Sequence, residues 1–440
     1  MRFGLLYELQ LPRPWDDGSE HRMIHDALAE VELADRLGFD YLWANEHHFL
    51  EEYSHSSAPE VFLAAAAART RDIHVGHAVV LSPPGYNAPA RVAERIATLD
   101  LIASGRVEWG TGQSASRTEL EGFGVDQATK RAQWAEATEQ TANMMAMTPY
   151  PGFEGQFFSM PCRNVVPKPM QKPHPPIWVA CSNRETIHAA ARAGIGALAF
   201  AFIDPAEAGK WAGEYYDIIK SDECVPIGHT VNAHIAMATG FSVHHNEAEA
   251  KARGLEAFQY FGFALGQFYV YGAHKPGVTN VWDRFQTARA SLPDAAHGNG
   301  IGTPEQLRER LTQYQDAGID QVIFIQQAGR NKHEHIMDSL SLFASEVMPF
   351  MKQDQIERDR RKQEELAPYI AAALKRKTWM RPLAPDQVPV VQAYGRTVVA
   401  SNVQTDKPTY RIGTAGGFEV PMEDLADKPS QGAAAQKAAE

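Results

Sequence analysis

Short apolar runs alternate with longer amphipathic segments along most of the chain. Runs at residues 2–6 (RFGLL), 41–44 (YLWA), 74–81 (HVGHAVVL), 106–109 (RVEW), 176–180 (PIWVA), 197–202 (ALAFAF), 231–238 (VNAHIAMA) and 321–325 (QVIFI) have the length and residue types of buried strands. Between them, residues 24–37, 58–68, 88–104, 129–147, 184–193, 206–219, 247–261, 304–317 and 335–347 repeat apolar positions at helical spacing. Punctuation agrees with this division. Gly38, Gly105, Gly194 and Gly318 stand where helices stop, Pro59 falls in a first helical turn, and Thr303 is placed as an N-cap. Eight strand-like runs, each followed by a helix, predict a parallel sheet closed as a (β/α)8 TIM barrel. An open doubly wound sheet is the alternative, but no GxGxxG follows the first run.

Two regions leave the rhythm. Residues 262–302 carry aromatics and a Pro-Gly pair with little periodicity, and read as a lid or insertion. From residue 353 the composition changes: 353–376 is charged and helix-prone, 382–389 is proline-rich, and 429–440 (PSQGAAAQKAAE) has the composition of a disordered end. The expected organisation is therefore a barrel over 1–352 and a C-terminal extension over 353–440. The extension reads equally as a packed or assembly arm and as a solvated tail.

The chain has 440 residues, 42 basic and 54 acidic side chains, and a formal net charge of −12. That balance argues against a nucleic-acid partner, which needs a basic footprint. Three cysteines, Cys162, Cys181 and Cys224, lack CxxC spacing and suit a reducing compartment. The first residues lack a basic-then-apolar leader pattern, and no apolar stretch reaches membrane-spanning length. A cytoplasmic protein with no membrane partner is expected.

In a barrel the chemistry sits where the strands end. Four segments fall there: Asn45-Glu46-His47-His48-Phe49, Ala78-Val79-Val80-Leu81-Ser82, Gly110-Thr111-Gly112-Gln113-Ser114, and Cys181-Ser182-Asn183-Arg184. A histidine beside a carboxylate exchanges protons near neutral pH. Small residues after a strand let a planar ligand approach the backbone. A capped helix start followed by arginine suits a phosphate, and equally describes ordinary capping. His47, His48, His77 and His234 also permit a metal reading, without the HxH that a barrel metallohydrolase would show after its first strand. The aromatic stretch 258–271 lines a substrate pocket or packs in the core.

These blocks resemble a known family. FDYLWANEHHF at 39–49, IHVGHAVVL at 73–81, NAPARVAERIATLDLIASGR at 87–106 and VEWGTG at 107–112 are similar to segments of the bacterial luciferase alpha chain. GTPE at 302–305 and EVMPFMK at 346–352 resemble its C-terminal region, so the likeness covers about 1–352. The resemblance implies a flavin-dependent monooxygenase on a (β/α)8 barrel that takes reduced FMN from a separate NAD(P)H-dependent flavin reductase. It would use O2 to oxygenate a small, apolar organic substrate. His47 would be catalytic, stabilising or protonating oxygen adducts of the flavin. A non-prolyl cis peptide would join Ala78 and Val79 beneath the ring, Gly112 and Gln113 would edge it, and Ser182, Asn183 and Arg184 would hold its phosphate. The second and third helices would form a homodimer. Gln113 stands where luciferase has arginine and Cys181 where it has glutamate, which keeps open a related branch that uses the deazaflavin F420 for hydride transfer. A barrel metallohydrolase is the third reading.

Overall fold

In the computed structural model the eight apolar runs are parallel strands that close on themselves. The structure describes residues 1–292 and 300–391, and the backbone of 409–411 and 419–421. The strands are β1 (Arg2–Tyr7), β2 (Tyr41–Ala44), β3 (His74–His77, resuming at Val80–Leu81), β4 (Val107–Gly112), β5 (Ile177–Cys181), β6 (Gly196–Ala199), β7 (Ile235–Val243) and β8 (Gln321–Gln327). Each pairs in parallel with the next, and β8 pairs back with β1 through Phe3↔Val322. This is the expected (β/α)8 barrel, and the open-sheet alternative falls on that closing pair.

Helices cover the outside: α1 (Ser19–Leu37), α2 (Pro59–Arg69), α3 (Pro89–Ile102), α4 (Lys130–Ala146), α5 (Arg184–Arg192), α6 (Pro205–Lys220), α7 (Glu247–Tyr269), α8 (Pro304–Asp316), α9 (His333–Glu346) and α10 (Gln355–Arg376). Local chemistry sets their ends. Gly38 stops α1 at φ 84°, a conformation that penalises a Cβ. Thr303 and Gln306 form a reciprocal capping box on α8. None of the helices among the described residues is long and apolar enough to cross a membrane.

Of four departures from the sequence pattern, three have a clear physical cause. The Gly-Thr-Gly of 110–112 lies inside β4 rather than after it, because backbone and side chain of the β3 break press against both glycines. β7 begins at Ile235, not 231, because Asn232 is still tied to the β5–α5 side: its N–H donates to the Gly194 carbonyl at 2.9 Å and its amide to the Ile177 carbonyl at 3.0 Å. α7 runs on to Tyr269, into the expected lid. Gly262 and Gly266 each cost roughly 1 kcal/mol in a helix, but Phe258, Phe261, Ala264 and Phe268 keep one buried stripe running through them. An antiparallel hairpin, Tyr150–Glu154 with Ser159–Arg163, was not signalled at all. The rest of the lid includes a short helix, Val281–Ala288, whose first N–H groups bond the wholly buried Glu52 (Val281 2.6 Å, Trp282 3.1 Å); residues 293–299 lie outside the described residues.

The extension begins as a packed helix. α10 buries Leu366 and Ala373 and ties back through Lys362 to Asp320 (2.6 Å), and Lys377 just beyond it reaches Glu139 (2.9 Å). One compact unit spans Met1–Pro385 and a second spans Asp386–Glu440. In the second, Thr409–Arg411 pairs antiparallel with Glu419–Pro421. The compositional expectation for 429–440 lies outside the described residues.

Candidate active site

Backbone strain marks one end of the barrel. Leu9, Phe49, Glu51, Ser114 and Phe202 have positive φ, and all five follow the C-terminal ends of β1, β2, β4 and β6; the sixth such non-glycine residue among the described residues, Ser104, lies just beyond α3. Such residues cost of order 1–3 kcal/mol each and persist where the surrounding structure holds them, commonly at functional sites.

His47 sits at this end, beyond β2, with a side chain 14% exposed. Its Nδ1 is 3.1 Å from Glu119 Oε1 and 3.2 Å from the Tyr269 hydroxyl at the end of α7. Its Nε2 is 3.6 Å from Glu8 Oε2, just past β1. Burial alone would push the imidazolium down, but Glu119 and Glu8 raise it to about 9. Burial also raises Glu119, yet His47, Ser114 and the His48 N–H together hold it below the usual carboxylate range. His47 is thus a protonated ring at neutral pH, fixed by an ionised carboxylate. His48 turns elsewhere: its Nε2 meets Glu46 Oε1 at 3.1 Å, and Glu46 also accepts from the Leu81 N–H (2.7 Å) and Asn87 Nδ2 (2.8 Å). Only His47 of the pair joins the carboxylate cluster.

The peptide between Ala78 and Val79 is cis. It interrupts β3 and leans on β4, where a Cβ on Gly110 would collide with the His77 carbonyl and one on Gly112 with Val79 Cγ2. These glycines therefore serve the close approach of two strands. Gln113 follows, half-buried, and its Oε1 has no hydrogen-bond partner. Asn45 Oδ1 is a buried acceptor in the same condition. Two such acceptors at strand ends fit a ligand that brings its own N–H donors, as the ring edge of a flavin does.

The expected phosphate grip is more committed. Asn183 accepts from the Thr186 N–H at 3.0 Å, and Thr186 Oγ1 accepts from the N–H groups of Ser182 (3.1 Å) and Asn183 (3.2 Å). Arg184 forms a two-point ion pair with Glu214 on α6 (Nε–Oε2 2.6 Å). A second cation is Lys130, at the start of α4. It donates to the Ser114 carbonyl at 2.6 Å and, among the described residues, pairs with no carboxylate.

Aromatic rings close the mouth. Phe202 meets Phe258 (5.6 Å) and Phe261 (5.8 Å) edge-on, and Tyr53 lies 5.8 Å from Phe261 and 5.7 Å from the His47 ring. His77 is buried and His234 half-buried, each on its own, and no group of three His, Cys, Asp or Glu among the described residues is arranged to hold a metal. Sequence reading missed Glu8, Glu119, Tyr269 and Lys130. An acid two residues past a strand was visible at Glu8; nothing local distinguished the other three.

Comparison with known proteins agrees with the fold. Two uncharacterized proteins of Sinorhizobium fredii are 33% and 29% identical, and the chain spans only about half their length (51% and 49%). The oxygenase component of flavin-dependent trigonelline monooxygenase from Acinetobacter baylyi is 24% identical over 81% of this chain and 98% of its own. The crystal structure of a monooxygenase from Streptomyces bottropensis superposes with a TM-score of 0.65 at 27% identity, covering 80% of this chain and 99% of that one. An F420-dependent secondary alcohol dehydrogenase shares the fold (TM-score 0.60, 18% identity, 80% and 98% covered). A profile of the luciferase-like monooxygenase family matches residues 1–321, and the chain belongs to that family.

Proposed function

We propose that the protein is the oxygenase of a two-component flavin-dependent system, taking reduced FMN from a separate NAD(P)H-dependent reductase and using O2 to place one oxygen on a small, apolar organic substrate. The observation that carries this reading is His47: a protonated, nearly buried ring at the barrel mouth, braced by Glu119 and Tyr269. Bound reduced flavin would supply the two electrons that activate O2. Ala78, Val79, Gly112 and Gln113 would bear the ring, and Ser182, Asn183 and Arg184 the phosphate, with Lys130 as a further cation. His47 holds a proton where negative charge on oxygen would need one. Phe202, Phe258 and Phe261 exclude water and favour an apolar substrate. The exposed Val61 on α2 and Leu101 and Ile102 on α3 support a homodimer through those helices. The protein is read as cytoplasmic.

Gln113 and Cys181, which stand where the luciferase alpha chain has arginine and glutamate, support a second reading, in which the cofactor is F420 and the reaction a hydride transfer without O2. Anaerobic titration with reduced FMN and, in parallel, reduced F420 separates them. Tight binding of reduced FMN, followed on admitting O2 by flavin reoxidation that depends on His47, is the expected result. Selective F420 binding moves the protein to hydride transfer, and binding of neither removes both readings.

A further inference from the structure

The two carboxylates that bracket His47 have unequal surroundings. Glu119 is satisfied: beyond His47 it accepts from the His48 N–H (2.9 Å) and the Ser114 hydroxyl (2.6 Å). Glu8 is not. Its Oε1 accepts from Asn45 Nδ2 (2.5 Å) and the Tyr53 hydroxyl (3.1 Å), but its Oε2, 3.6 Å from His47 Nε2, has no hydrogen-bond partner, and the residue is 2% exposed. An ionised oxygen in that position is costly, and a proton removes the cost.

We infer that Glu8 is a positioning residue that holds a second exchangeable proton of this site on Oε2 and passes it to His47 Nε2, while Glu119 stays ionised and fixes the ring. The inference deepens the proposed function and rests on His47 as its acid. The transfer is balanced: neutral His47 and protonated Glu8 become imidazolium and carboxylate, and one proton moves. The groups facing this pair are Glu8 from the end of β1, Glu46 from the His47 loop itself, Tyr53 from the turn Glu51–Tyr53, Glu119 from the short helix Arg117–Gly122, and Tyr269 from α7. Of the carboxylates, Glu46 is engaged by Leu81, Asn87 and His48, which leaves Glu8 as the one with a free oxygen toward the ring. Burial pushes the Glu8 carboxyl up to about 7, against the pull of His47 and Tyr53, so both of its states are populated near neutral pH.

The test is an NMR titration of histidine ring nitrogens in the ligand-free full chain, with His47 assigned by its loss in His47→Gln. The wild-type Nε2 resonance is expected to step near pH 7, as Glu8 ionises, and again near pH 9, as the ring does. Glu8→Gln should abolish the lower step and keep the upper. Glu8→Asp, should Glu8→Gln not fold, keeps a displaced lower step. Absence of the lower step in wild type, or its persistence in Glu8→Gln, overturns the inference. The readout needs no flavin, so failure to bind reduced FMN would count against the cofactor reading alone.

Discussion

Val79 Cγ2 occupies the space that a Cβ on Gly112 would need. Gly112→Ala is therefore expected to lose about 1–3 kcal/mol, the usual range for an extra methyl in a packed site. Removing the Val79 methyls should recover much of it, so the double variant Val79→Ala/Gly112→Ala should unfold in urea nearer to wild type than Gly112→Ala does. At Gly110 the obstruction is the His77 carbonyl, and Gly110→Ala should have no comparable side-chain rescue. Equal urea midpoints for the single and double Gly112 variants would show that the clash is relieved elsewhere.

The buried histidines give stability opposite slopes on the two sides of neutrality. His47 keeps its proton in the fold up to about 9, against an ordinary 6.5, so its contribution is complete below 6.5 and lost as pH rises through 9. His77 is pushed down by burial to about 4, so the unfolded chain binds its proton first and stability falls as pH drops from 6.5 toward 4. Glu8, raised by burial to about 7, works against the acid limb between its ordinary value and 7. Urea unfolding across pH should show His47→Gln flattening the alkaline fall and His77→Gln shrinking the acid one. A His47→Gln curve parallel to wild type from pH 6.5 to 9 would mean that the Glu119 pairing does not hold in solution.

Phosphate binding can be located by comparing reduced FMN with reduced riboflavin, which lacks the phosphate. Arg184 must leave Glu214 to help, whereas Lys130 has no carboxylate to leave among the described residues. Lys130→Ala is therefore expected to erase more of the preference for FMN than Arg184→Ala, by a factor of several. Both ligands weakening equally in Lys130→Ala would place that lysine outside the phosphate site.

The barrel was legible because its evidence is local: period, run length and the glycines that stop helices all repeat. What failed was set by tertiary contact. Residues 231–234 carry strand-like alternation, yet Asn232 spends its backbone and amide on the β5–α5 side. Gly262 and Gly266 hide a helix that only its packing surface requires. The site divides the same way. His47 stood in a recognisable block, but Glu119 lies 72 residues away and Tyr269 lies 222 away, in segments with no pattern of their own. Barrel closure brings them to one ring, and the sequence holds no local trace of that meeting.

The start of the extension belongs energetically to the barrel. α10 covers the N-terminal ends of the strands: Lys362 reaches Asp320, just ahead of β8, and Asp359 pairs with Arg2 of β1 at 2.6 Å. Beyond it Lys377, 7% exposed, is held by Glu139 and by the carbonyls of Pro226 (3.1 Å) and Ile227 (3.0 Å). Asp320 itself takes the Ile235 N–H (2.8 Å) and the Tyr216 hydroxyl, and its side chain is 16% exposed. Cutting the chain after Lys352 would remove this half-buried ion pair, a contribution of about 1 kcal/mol, and would uncover the barrel surface on which Leu366 and Ala373 are buried. The melting temperature of a chain ending at Lys352 should therefore lie below that of one ending at Pro385. Equal melting of the two truncated chains would show that α10 rests on the barrel without holding it.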